Sequence, residues 1–284
     1  MSQRKTVSSQ QEFTDLVLLG KKIVDMDFTV SIAIGTNQGF PSDRTILFIN
    51  CTFKAVLIQF QKQNIVSFSQ CNFERLHIGD AGNPILLELI DCVVPIVAFR
   101  DGASSDNFKI SRCIIDQIYF NERGPKSLAI SNSSKIGQLT FNVVQAGLDI
   151  LSITNSEIAN FLMEYSKISN QFIINSELSI NSIKIYNPEF NDFRIKALIH
   201  ELLIEGDGVG ISAIKRLTVS KAGQNTGSNI TFNKVDFTTL DLTGFTYDHE
   251  FTITSVTISN LITINTHLSQ TSFTNINISR HLVS

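Results

Sequence analysis

Tryptophan is absent from this 284-residue chain, and proline occurs only five times. The scarcity of proline suits a fold in which nearly every backbone N–H pairs with a neighbouring strand. The lack of tryptophan removes the ring best suited to stacking on sugars. Charge is also scarce: 17% of residues are Asp, Glu, Lys or Arg, against about 25% in ordinary domains. The net charge of −3 supplies no phosphate-neutralising surface, so nucleic-acid binding is not expected. It is also too mild for an acidic DNA mimic. No run reaches 18 apolar residues, so no membrane span is expected. Met1-Ser2-Gln3-Arg4-Lys5 leads into polar residues rather than an apolar segment. This argues against a cleaved leader and for a cytoplasmic setting. What fills the chain instead is Asn, Ser and Thr recurring between Ile, Leu, Phe and Val, a β-rich composition.

An internal repeat organises those residues. With Cys51 as origin, Phe53, Val56 and Ile58 lie two, five and seven residues on. The same frame fits Cys71 with Phe73, Leu76 and Ile78. It also fits Cys92 with Val94, Val97 and Phe99, and Cys113 with Ile115, Ile118 and Phe120. The frame continues from Ser156, Ala197, Ser212, Val235 and Thr271, and with one-residue slips, read as bulges, from Ser133 or Ser134, Ser176 and Val256. A small origin followed by large apolar positions, at a period near 21 residues, describes a coil of short strands rather than helices. The expected fold is all-β: a single right-handed parallel β-helix of about twelve coils, with residues 1–22 as a short helical N-terminal cap and residues 23–284 as the solenoid.

Cys71-Asn72-Phe73-Glu74-Arg75, Cys51-Thr52-Phe53-Lys54-Ala55 and Val235-Asp236-Phe237-Thr238-Thr239 each resemble one unit of the pentapeptide-repeat family: a small residue, a polar one, Leu or Phe, then two variable positions. The resemblance covers about one unit per coil, and the other faces are longer. It implies the right-handed sense of the coil and association of two copies through a solenoid end. Broader right-handed parallel β-helix proteins are similar in the same way.

The four cysteines occupy one column of successive coils. Their spacing predicts a buried structural ladder of Cys51, Cys71, Cys92 and Cys113 beside Phe53 and Phe73. Parallel side chains on adjacent strands make poor disulfides, and free buried cysteine behaves as a small hydrophobe. No metal site and no cofactor are expected.

Between Gln11 and Lys22, Phe13, Leu16, Val17 and Leu19 recur at helical spacing, with Gly20 as a stop, which suits a cap over the first coil. The other end shows no capping helix after Phe273, Ile276 and Ile278. An uncapped coil leaves three outcomes: self-association, a protein partner, or a longer chain. Insertions 79–84, 100–107, 121–126, 221–229 and 243–249 all follow the last apolar position of their frames. They point to one loop-bearing corner as a binding face. The residues expected there are Asp80, Arg100, Asp101, Glu122, Arg123, Lys221 and Asp248.

Catalytic signatures are missing. The run Gly206-Asp207-Gly208-Val209-Gly210 lacks the following helix that a phosphate loop requires, and reads as a tight turn in a 15-residue coil. Arg194-Ile195-Lys196 resembles a short element of polygalacturonases, without the aspartate pair that should accompany it. No catalytic residue is assigned. The first expectation is therefore a non-catalytic binding or scaffolding solenoid for a protein partner or a second copy, one subunit or domain of a larger assembly. The alternative is a carbohydrate-active β-helix resembling polysaccharide lyases and hydrolases.

Overall fold

The computed structural model describes residues 4–19, 22–35, 45–59, 64–79, 84–100, 103–146, 148–208, 212–221 and 229–283. Among the described residues the chain is all-β, a parallel β-solenoid of about 11 turns with one short helix. It divides into two compact units, 1–137 and 138–284.

In the first unit each coil contributes two walls. One wall holds Met26–Gly35, Thr52–Gln59, the pair Asn72–Phe73 and Leu76–Ile78, Val93–Phe99 and Ile114–Arg123, paired in parallel. The other holds Ile23–Val24, Thr45–Ile49, Ile65–Ser69, Leu86–Ile90, Ser105–Ser111 and Pro125–Ser131. The registers are those of the cysteine frame: Phe53 faces Phe73, Val56 faces Leu76, and Val97 faces Ile118. Stacking identical positions one strand apart puts like rings on one another. Phe28 and Phe53 stack at 4.7 Å, Phe53 and Phe73 at 4.9 Å, and Phe48 and Phe68 at 4.8 Å. Across the interior, Phe48 meets Phe53 edge to face at 5.3 Å.

The four cysteines are buried and free, as their spacing predicts. Each thiol donates to the carbonyl two residues before it, for example Cys92 Sγ to Ile90 O at 3.2 Å and Cys113 Sγ to Ser111 O at 3.2 Å. The Cys71 thiol is pushed up to about 12 by its thiol neighbour Cys51 and by burial. The Cys113 thiol pulls Cys92 down, but Cys71 and burial outweigh it and also leave Cys92 at about 12. Hydrogen bonding to Cys92, together with burial, raises Cys113 as well. Ser134 takes the next place in the column, accepting from the Cys113 N–H at 3.2 Å.

One residue before each small residue the backbone turns left-handed: Asn50 at φ 53°, Gln70 at 55°, Asp91 at 53°, Arg112 at 53° and Ser133 at 62°. These corners turn the chain from one wall to the other. Their amides still pair along the coil axis, as in Asn50 N–H to Ser69 O at 2.9 Å and Gln70 N–H to Ile90 O at 2.9 Å.

The helix spans Gln10–Leu18. It is capped by Ser9, whose side chain accepts from the Glu12 N–H. Phe13 is fully buried, with its ring 5.6 Å from Phe28 and 6.1 Å from Phe48, so the helix covers these rings as expected of a cap. A strand, Lys5–Val7, precedes it and pairs with Met26–Phe28, so the first 22 residues also extend the wall. Gly20 lies outside the described residues.

In the second unit the frame changes column. Phe172 faces Phe193, which faces Leu217, which faces Leu240; Ile183 faces Leu202, which faces Ile230. Ser156, Ser176 and Ala197 therefore form one small column, with Ser176 Oγ donating to Ser156 O at 3.0 Å and a bulge just after Ser176. Ser212, Val235 and Val256 belong to a second column at the opposite corner, together with Ser166 and Pro188. This corrects the 15-residue coil expected between Ala197 and Ser212. From Phe193 to Leu217 the coil takes 24 residues, and from Leu202 to Ile230 it takes 28. Such long coils explain why the count is about 11 rather than twelve. Thr271 is likewise no origin: it faces Phe251 within a wall, and Ile276, after left-handed Asn275, takes the corner.

Candidate functional site

The second column builds an open recess. Tyr165, Asn187, Lys234 and Ser255 are left-handed, at φ 46°, 51°, 53° and 54°, and immediately precede Ser166, Pro188, Val235 and Val256. Their amides form a chain along the coil axis: Tyr165 N–H to Tyr186 O at 3.0 Å, Asn187 to Glu205 O at 2.8 Å, and Lys234 to Thr254 O at 3.0 Å. Gly206 holds the same rung, its N–H donating to Asn233 O at 2.9 Å. In the sequence, residues 207–211 then separate Gly206 from Ser212. The glycine is required: a Cβ at Gly206 would collide with the Lys234 carbonyl oxygen and come within 2.8 Å of Ser212 Oγ. At Gly208 the positive φ of 77° again selects glycine. Residues 209–211 of the glycine run lie outside the described residues.

The recess holds about 360 Å³ and is lined by Glu164, Tyr165, Tyr186, Asn187, Glu205 and Asp207, with Gly206 and Lys234 at one end. The register sets Glu164, Tyr186, Glu205 and Asn233 side by side on four successive strands. Asn187 Oδ1 accepts from the Asp207 N–H at 2.6 Å and from Ser212 Oγ at 3.2 Å, tying both to the same corner. Glu205 Oε1 accepts from Asn233 Nδ2 at 2.7 Å. Tyr165 is 52% exposed. The arrangement offers carboxylate acceptors, two phenol rings and one ammonium on a preformed backbone.

The residues expected at a single loop corner fall into separate places. Asp80 and Asp101 lie outside the described residues. Arg100 is exposed and its guanidinium donates to His77 Nδ1 at 3.0 Å. Burial, followed by the charges of Arg100 and Arg75, holds His77 below the ordinary histidine range, in keeping with its acceptor role. Glu122 and Arg123 are exposed at the end of Ile114–Arg123, and Phe99 faces Phe120, so these residues leave the same corner as Arg100. In the second unit, Lys221 ends Ala213–Lys221 with its backbone beside Lys196, and Asp248 Oδ1 lies 3.8 Å from His267 Nε2. Lys221 and Asp248 flank the corner that follows the wall of Leu217 and Leu240. The recess takes the other corner, after the wall of Leu202 and Ile230. Arg194 of the polygalacturonase-like tripeptide pairs with its own neighbour Asp192 at 2.7 Å.

Among the described residues no group of three or more His, Cys, Asp or Glu is placed to hold a metal ion, and no helix is long and apolar enough to cross a membrane. Gly206 and Gly208 of the glycine run were the sequence signal of the recess, since they mark where side chains do not fit. Comparison with known proteins finds no matching family model, no matching curated protein and no matching solved structure.

Proposed function

We propose that this chain is a non-catalytic β-solenoid scaffold that binds a second copy of itself through the coil made by His267–Thr274 and Asn277–Leu282. One observation carries the reading: this coil exposes the columns that other coils bury. Phe273 is 56% exposed, although Ile253, which faces it, is 2% exposed; Ile278 is 41% exposed, although Ile258 is 0% exposed. Alternate N–H and C=O groups of a parallel edge strand also point away from the preceding coil. A partner must therefore offer both a strand edge and apolar columns at matching spacing. The same coil of a second copy does so under two-fold symmetry. Head-to-tail stacking is disfavoured because the helix Gln10–Leu18 already covers Phe28 and Phe48. The resemblance of Cys51–Ala55, Cys71–Arg75 and Val235–Thr239 to pentapeptide-repeat units supports the same association.

Light scattering tests the proposal. The expected mass is about 63 kDa, twice the 31.6 kDa chain, falling to the single-chain value in Phe273→Asp/Ile278→Asp, because burying an unpaired carboxylate at each site opposes docking. A single-chain mass for the unaltered protein at about 100 µM, a concentration well above the Kd of an ordinary stable interface, rejects it.

A further inference from the structure

We propose that the recess at Tyr165–Lys234 seats an arginine side chain from a basic segment of a protein partner. Three features of the recess point to this ligand. The first is the row Glu164, Tyr186, Glu205, in which two carboxylates flank one phenol ring on consecutive strands. Their Cα atoms stand two strand spacings apart, about 9.6 Å. A guanidinium laid on the Tyr186 ring fits between them. It is planar, stacks on aromatic faces, and donates in a fork to carboxylates. Glu205 is held in the row through Oε1, which accepts from Asn233 Nδ2, and a carboxylate has further acceptor sites beyond that one bond.

The second feature is Tyr165. A bulky residue at φ 46° is strained, and the other left-handed residues of this column are Asn187, Lys234, Ser255 and Asn275. Burial does not compensate the strain, since the residue is 52% exposed. A ring kept there at the lip of the recess provides a second face for a flat cation. The third feature is the charge order. Glu164 and Glu205 outnumber Lys234, and Lys234 stands three rungs from Tyr165, roughly 14 Å along the coil axis. Its stem runs along Gly208, with Cδ 3.4 Å from where a Cβ would sit. A cation is therefore drawn to the Glu164 end and repelled from the other.

The test is fluorescence anisotropy with a labelled peptide of four arginines separated by glycines, titrated with the full chain. Two control peptides replace arginine by lysine and by citrulline, which keeps the shape and removes the charge. The expected order is arginine tightest, lysine weaker, and citrulline weaker by about tenfold or more. Glu205→Gln and Tyr165→Asn should each weaken arginine-peptide binding by about fivefold or more. Tyr165→Asn should do so without lowering Tm, because asparagine accepts the left-handed corner. Equal affinity in both variants, equal binding of the citrulline peptide, or displacement of the arginine peptide by a neutral oligosaccharide overturns the proposal. Self-association is read separately, as a light-scattering mass, so failure of either idea leaves the other measurable.

Discussion

At the level of single residues, the corners carry most of the specification. A left-handed residue followed by a small one recurs at Asn50–Cys51, Gln70–Cys71, Asp91–Cys92, Arg112–Cys113, Asn155–Ser156, Asn187–Pro188 and Lys234–Val235. The left-handed conformation costs about 1–2 kcal/mol for residues other than glycine and least for Asn and Asp. Replacing Asn187 by alanine also removes the acceptor of the Asp207 N–H and the Ser212 hydroxyl. Asn187→Ala is expected to lower stability by about 1–3 kcal/mol, measured as a shift in the urea midpoint. The small residues carry a different signature. In the unfolded chain a thiol ionises near pH 8.5, whereas folded Cys71 and Cys92 hold their protons to about 12. The folded pKa of an acid is raised here, so the unfolded state binds fewer protons in that window. Stability is complete below about pH 8.5 and falls as pH rises toward 12. Serine occupies the same column at Ser134, so Cys71→Ser/Cys92→Ser should fold and should show a flatter fall between about pH 8.5 and 10.5. An equal slope in urea titrations of the two proteins contradicts the assignment.

At the level of strands and coils, stacking of like side chains supplies the packing. Phe172 and Phe193 lie 4.2 Å apart and 7° from parallel, and Phe190 meets Phe193 edge to face at 5.7 Å. Both rings of the stacked pair are fully buried. Phe193→Ala should therefore lose about 3–5 kcal/mol in urea unfolding, whereas Phe273→Ala, exposed in the single chain, should lose under about 1 kcal/mol when measured at about 1 µM, where copies are separate. This packing also explains what the sequence disclosed. The cysteine frame was legible because one small column of constant residue type precedes apolar positions at fixed offsets, and the registers Phe53 to Phe73 and Val97 to Ile118 repeat it. The second column was not legible, because Ser166, Pro188, Ser212, Val235 and Val256 mix serine, proline and valine, and no single residue type marks it as the cysteines mark the first. Two similar half-coils then fit one frame, so Ser212 aligned with Ala197 although it sits at the opposite corner. The recess was hidden for the same reason. Glu164, Tyr186 and Glu205 are separated by 22 and 19 residues and are joined only by strand register. The glycines at 206 and 208 announced a special turn but not what the turn opens onto.

At the level of the whole molecule, stability in a solenoid is close to a sum of coil and neighbour terms, so among the described residues the most exposed coil opens most easily. That coil is His267–Leu282, whose side chains are nearly all exposed. Amides of Asn277–Leu282 should exchange with deuterium much faster than those of Thr257–Ile262, which are paired on both sides by Asp236–Asp241 and Asn277–Leu282. Mass action then separates a self-docked coil from a free one, because a bound copy protects only when its concentration exceeds the Kd. Raising the protein from about 1 µM to about 100 µM, a change spanning the affinities of moderately stable interfaces, should slow exchange in Asn277–Leu282 and leave Lys167–Tyr186 unchanged. If light scattering gave a doubled mass while exchange in Asn277–Leu282 stayed fast at both concentrations, the copies would be meeting through another surface. The exposed Phe273 and Ile278 would then require a different explanation.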